Sequence, residues 1–153
     1  MKTNYEMIHA QLRALAAEDG WYVPLMANAS ALLYEALPDL NWAGFYLYHG
    51  GQLVLGPFQG KTACIHIAPG RGVCGTALSE DRTMLVPNVH EFPGHIACDS
   101  ASNSEIVVPV HAGGQVAAVL DIDSPLLNRF SDEDLAGLES FVRILEKVIA
   151  FDL

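Results

Sequence analysis

With 153 residues, 51% of them apolar and 17% charged, the chain is expected to fold as one domain over residues 1–153 with a sizeable core. Eighteen Asp and Glu against eight Lys and Arg give a formal charge of -10, which argues against nucleic acid and an anionic membrane surface as partners. No stretch has the continuous apolar length of a signal-peptide core or a membrane span, so a soluble, cytoplasmic protein is expected.

Thr3 and Glu6 have the spacing of a capping box, and Tyr5, Ile8, Leu12 and Leu15 follow at helical period, predicting a first helix that ends near Gly20. Tyr22, Leu25, Met26, Ala29, Leu32, Leu33 and Ala36 continue that period through a second helix, which Pro38 stops. Pro24 is tolerated in its first turn. "NWAGFYLYHGGQLVLGPF" then places aromatic and β-favouring residues on both sides of Gly50 and Gly51, the pattern of a hairpin. "KTACIHIA" predicts a third strand, with Cys64 in its middle as a buried thiol. "GRGVCGTALSED" reads as a glycine-rich loop entering a short helix, and "TMLVPNV" as a further strand.

A long polar loop follows, and it contains Cys98. Free cysteine is among the most buried residue types, so a cysteine in "EFPGHIACDSASNS" calls for a chemical reason. "EIVVPVHA" and "QVAAVLDID", separated by Gly113 and Gly114, predict a second hairpin. Ser131 with Asp134 opens a last helix whose apolar stripe runs through Leu135, Leu138, Val142, Leu145 and Ile149. Helices at both ends around hairpin-connected strands predict an α+β fold, with helices packed on one antiparallel sheet.

Three cysteines, at 64, 74 and 98, are an odd set in a chain with no secretion signal, which disfavours a structural disulfide framework. Core thiols, metal ligands and redox groups all stay open. No C-x-x-C pair is present, and nothing fixes a ligand set around His90 and His95, so no metal is expected. Cys74 sits where a glycine-rich turn enters a helix, and free amides there would stabilise a thiolate or cradle an anion. No Walker lysine or Rossmann strand accompanies that loop, which weighs against a nucleotide.

The period of two places Asp121 and Asp123 on one face of their strand, with Glu105 beginning the neighbouring strand. These carboxylates are either solvated strand ends or a buried cluster whose ionised members attract an ammonium group while another is raised in pKa until it holds a proton it can donate. Trp42 and Tyr46 share a face of the first strand; they are either plain core or the wall of a site for an apolar amine.

"NWAGFYL", "LGPFQGKTACIHIAPGRGVCGTA", "VPNVHEFPGHIACDSASNSEIVVPV" and "VLDIDSP" together resemble the GAF-domain free methionine-(R)-sulfoxide reductases over nearly the whole chain. The resemblance implies a GAF domain, a central antiparallel β-sheet with N- and C-terminal helices packed on one face, and an enzyme that reduces free L-methionine (R)-sulfoxide without a bound cofactor. Cys98 of "GHIACDS" would attack the sulfoxide and Cys64 would resolve the resulting sulfenic acid. Cys74 matches the family's third cysteine, a second resolving thiol or a relay. Trp42, Tyr46, Glu105, Asp121 and Asp123 match the substrate-binding residues. Thioredoxin or another dithiol would recycle the thiols, and a homodimer is the implied assembly. The competing expectation is a non-enzymatic GAF module that binds a small effector or senses oxidants.

Overall fold

The computed structural model describes residues 2–95 and 100–152. Its elements follow in the order α1 (Tyr5–Glu18), α2 (Tyr22–Ala36), β1 (Trp42–His49), β2 (Gln52–Gly60), β3 (His66–Ile67), α3 (Gly72–Glu80), β4 (Met84–Val86), β5 (Ser104–Ala112), β6 (Gln115–Ser124) and α4 (Asp132–Glu146), with a 3-10 turn at Val89–Glu91. The strands form one antiparallel sheet in the order β3-β2-β1-β6-β5-β4. Cys98 lies outside the described residues.

The two predicted hairpins are present, each turning through a glycine pair with positive φ. Gly50 and Gly51 have φ of 64° and 82°, and Gly113 and Gly114 have 62° and 80°. Side chains with a Cβ rarely adopt that backbone, so glycine makes these tight turns accessible.

Both faces of the central strands are buried, and the alternation of side chains separates two cores. On one face Ala43, Phe45, Ile106, Val108, Leu120 and Ile122 pack against the layer made by α1, α2 and α4. On the other, Trp42, Tyr46, Val107 and Val119 pack against α3 and Val89. This explains why "EIVVPV" is almost continuously apolar. Pro109 is tolerated in β5 because β4 pairs with that strand only as far as Val107, leaving the ring with a ladder partner on β6 alone. Burying each large aliphatic side chain of this core contributes about 1.5–3 kcal/mol.

Two expectations change. The first helix is capped by Asn4, whose side chain accepts a hydrogen bond from Met7 N at 3.1 Å. With the cap at residue 4, Glu6 no longer occupies the third helical position that a box with Thr3 would require. The third strand shrinks to His66–Ile67, and Cys64 lies before it in irregular backbone, half-buried. The physical cause is competition for carbonyls: Lys61 O accepts from Trp42 Nε1 at 3.1 Å, and Cys64 O accepts from Tyr46 Oη at 3.1 Å. Those bonds draw the segment over the aromatic rings.

The helical layer is joined at two polar points. The Ser131–Asp134 capping box opens α4, and Asp134 also accepts from Tyr5 Oη at 2.6 Å and pairs with Arg129 at 3.1 Å. Burial opposes ionisation of Asp134, but these hydrogen bonds and the guanidinium outweigh it and hold the carboxyl below its ordinary range. His111 at the end of β5 bridges Glu146 of α4, at 2.8 Å, and Asp81 after α3, at 2.6 Å. Partial burial disfavours its charge, yet hydrogen bonds to Asp81 and Glu146 prevail and raise its pKa.

A raised histidine pKa stabilises the fold fully below the unfolded value of about 6.5, and that contribution disappears as pH rises through the folded value. The urea-unfolding difference between wild type and His111→Gln is therefore expected to be largest in mildly acidic buffer and to shrink toward alkaline pH. A difference independent of pH would show that the bridge stabilises by packing alone.

Candidate functional site

Three neighbouring strands converge on one row of the sheet. Antiparallel register sets Trp42 of β1 opposite Asp123 of β6, and Asp123 opposite Glu105 of β5. In the next row Gly44 faces Asp121, which faces Val107. The period of two then points Trp42, Tyr46, Glu105, Asp121 and Asp123 to the α3 side of the sheet, where all five line one pocket. Its inner cavity of about 40 Å³ has room for about three water molecules.

The acidic side chains are not solvated strand ends. Glu105 is 7% exposed and Asp121 5%. Burial first, then the charges of Asp121 and Asp123, push the Glu105 carboxyl well above the usual range, and hydrogen bonds to both aspartates reinforce the shift. The cluster thus favours the protonated form of Glu105, a carboxyl that can donate beside the two aspartates. Asp121 Oδ1 is buried without a hydrogen-bond partner among the described residues.

The aromatic wall is a stack of three. Trp42 lies 5.1 Å from Phe58 at an interplanar angle of 15° and 5.8 Å from Tyr46 at 24°. Gly44 makes the stack possible: a Cβ there would stand 2.2 Å from Phe58 Cβ, with further contacts under 3 Å to the Phe58 and Pro57 backbone. The Trp42 and Tyr46 hydrogen bonds described above moor the Cys64 segment to this wall.

α3 supplies the third side. Arg71, Gly72, Val73 and Cys74 line the pocket where the helix begins, so a helix N-terminus and one basic residue border a cavity otherwise rich in carboxylates. Cys74 is the free thiol among the described cysteines. Its Sγ lies 3.9 Å from Glu105 Oε2. The expected activation of Cys74 by helix amides does not occur: burial, followed by Asp121 and Glu105, raises its pKa well above the ordinary thiol value.

His95 and Ser102, on either side of residues 96–99, also line the pocket. Burial and then the neighbouring His90 lower the His95 pKa, which favours a neutral imidazole. Residues after the segment are firmly tied: Asn103 N donates to Ser124 O at 2.8 Å, and Ser102 Oγ accepts from Asn41 Nδ2 at 3.0 Å. Sequence reasoning missed Phe58, Ser102 and Arg71. A signal existed for Arg71, since a cation at a helix N-terminus opposes the helix dipole and marks an unusual local demand.

The chain belongs to the GAF-domain family, whose model matches residues 22–149. Within that family it sits in the branch named free methionine-R-sulfoxide reductase. The Escherichia coli protein of that name is 53% identical over 146 residues, covering 95% of this chain and 88% of its own length. Among solved structures, the fRMsr of Staphylococcus aureus in complex with substrate is 48% identical with a TM-score of 0.93, covering 98% of each chain. The free methionine-R-sulfoxide reductase of Neisseria meningitidis, in complex with its substrate, is 43% identical with a TM-score of 0.90, covering 94% of this chain and 86% of that one.

The unpartnered oxygen and the crowding of carboxylates predict that the pocket is built at the expense of stability. Asp121→Asn removes one charge and offers an amide donor to Glu105. It is expected to stabilise the fold by about 1 kcal/mol, seen as a rise of roughly 2–4 °C in Tm. A lower Tm would mean that the charge at Asp121 is already compensated.

Proposed function

We propose that this protein reduces free L-methionine (R)-sulfoxide to L-methionine, with Cys98 as the attacking thiol and Cys64 as the resolving one. The observation that carries this reading is a buried carboxyl, Glu105, held beside two aspartates and a stacked aromatic wall, in the fold of the sulfoxide reductases.

Each part of the pocket meets one part of the substrate. Trp42 and Tyr46 enclose the methyl group on the sulfur, where apolar ring faces exclude water. Asp121 and Asp123 offer acceptor oxygens to the ammonium. Arg71 and the first turn of α3 receive the carboxylate. Glu105 holds a proton for the sulfoxide oxygen.

In the reaction, Cys98 sulfur bonds to the sulfoxide sulfur as Glu105 protonates the oxygen. Oxygen passes to Cys98 as methionine leaves: the substrate sulfur is reduced by two electrons, and Cys98 is oxidised to a sulfenic acid. Cys64 then displaces water from Cys98 and forms a disulfide, which thioredoxin or another dithiol reduces. Support for Cys64 comes from its place on the segment moored to the aromatic wall and from its disulfide-bonded state, whereas Cys74 is a free thiol. Cys74, protonated and buried, takes no step in this cycle. No bound cofactor is required.

A homodimer is part of the same reading. Trp21, Val23, Tyr34 and Val148 leave large apolar side chains exposed on the helical layer. None of the described helices is long and apolar enough to cross a membrane, which is compatible with the cytoplasm as the place of action.

Incubation with each methionine sulfoxide epimer and a dithiol is expected to release methionine from the (R) form alone; release from neither would return the protein to the sensor class. Cys98→Ser should abolish even the first turnover, whereas Cys64→Ser should keep one turnover per chain and lose recycling by thioredoxin.

Glu105→Gln should lower the single-turnover rate by about 100-fold or more, the scale of a lost general acid. Because the neutral acid is the active form, wild-type rate should fall as pH rises through the raised Glu105 pKa, and the Gln variant should lose that alkaline limb. An unchanged limb in Glu105→Gln would transfer the proton donation to another group.

A further inference from the structure

We propose that Cys74, Glu105 and Asp121 form a binding site for a borderline divalent cation, Zn²⁺, at the floor of the pocket. The metal site stands on its own geometry; its consequence, exclusion of the sulfoxide, rests on the function proposed above.

One ligand atom from each residue, the Cys74 sulfur and an oxygen from each carboxylate, lies within 4.8 Å of the others, and all three residues are buried. Tetrahedral Zn²⁺ with bonds of about 2.0 Å to oxygen and 2.3 Å to sulfur sets its ligands roughly 3.3–3.6 Å apart. The Cys74 Sγ to Glu105 Oε2 distance of 3.9 Å is within a small side-chain adjustment of that spacing. Independently, Asp121 Oδ1 has no hydrogen-bond partner among the described residues although its residue is only 5% exposed, an acceptor placed in a polar cavity.

The donor set chooses the ion. A thiolate disfavours Mg²⁺ and Ca²⁺, which take hard oxygen shells of six or more ligands. One sulfur and two carboxylates suit Zn²⁺, with a water from the cavity in the fourth position. On binding, the Cys74 thiol and the Glu105 carboxyl each release a proton to solvent and become thiolate and carboxylate ligands; no oxidation state changes. The bound ion would offset two of the cluster's negative charges and stand where the substrate's polar groups are to be held.

Cobalt(II) is the probe, because a Co²⁺–thiolate bond gives a near-ultraviolet charge-transfer band. In Cys64→Ser/Cys98→Ser protein, where Cys74 is the sole thiol, equimolar Co²⁺ is expected to develop that band and Zn²⁺ to abolish it by displacement. Adding Asp121→Asn should weaken binding roughly tenfold or more. No band in the sole-thiol protein, or an affinity unmoved by Asp121→Asn, overturns the proposal. With all thiols present, Zn²⁺ should inhibit turnover competitively with the sulfoxide and a chelator should restore it; non-competitive inhibition overturns the exclusion. A cobalt band in the sole-thiol variant, together with no reductase activity of the wild-type protein, supports the metal site and overturns the enzymatic reading alone.

Discussion

Like charges held in register are the constraint on which this molecule depends. Glu105, Asp121 and Asp123 crowd one another in a largely buried pocket, and side-chain preference alone would turn them to water. The ladders β5–β6 and β1–β6 prevent this, because the alternate residues Ile106, Leu120 and Ile122 are committed to the helical core. A one-residue slip would exchange the two faces, burying carboxylates among leucines and placing isoleucines in the pocket. Hydrophobic packing on one side of the sheet thereby enforces electrostatic crowding on the other. The raised Glu105 pKa is the chemical product of that crowding.

In the proposed reaction the aromatic wall would couple recognition to the thiol chemistry. Trp42 and Tyr46 turn their ring faces to the pocket and give their only polar hydrogens to Lys61 O and Cys64 O. Those bonds divert the backbone before β3 from the sheet ladder and leave Cys64 on a segment anchored by its carbonyl rather than locked into a strand. A cysteine that must meet another sulfur benefits from such a mooring: it is positioned near the wall, and a side chain off the ladder is freer to approach. Gly44 belongs to the same device, since only the absence of a Cβ lets Phe58 close against the sheet behind Trp42.

The sequence was most legible where period and punctuation agree. Both hairpins followed from their glycine pairs, the face shared by Asp121 and Asp123 from strand alternation, and the last helix from the Ser131–Asp134 box. It was least legible where side chains compete with backbone. Nothing in "KTACIHIA" reveals that two carbonyls accept from aromatic side chains 18 or 19 residues earlier, so the strand reading overran Cys64. Periodicity likewise located Glu105 on an adjacent strand without showing its burial, which arises from the packing of α3. The roles given to Cys98 and Cys64 came from resemblance; spacing along the chain does not carry them.

Cys74 illustrates how neighbours decide a thiol's character. By local sequence it stands at a helix start, a position that lowers thiol pKa elsewhere. Here the helix points its first turn at a carboxylate cluster, and the field of those acids, added to burial, exceeds what peptide dipoles supply. Because the thiolate is the reactive form, this arrangement disfavours oxidation of Cys74. Acidity that silences a nucleophile is, however, no defence against a cation, which is attracted by the very charges that retain the thiol proton. The same three groups therefore define a proton store when the pocket is empty of metal and, in the proposed site, a chelate when it is not.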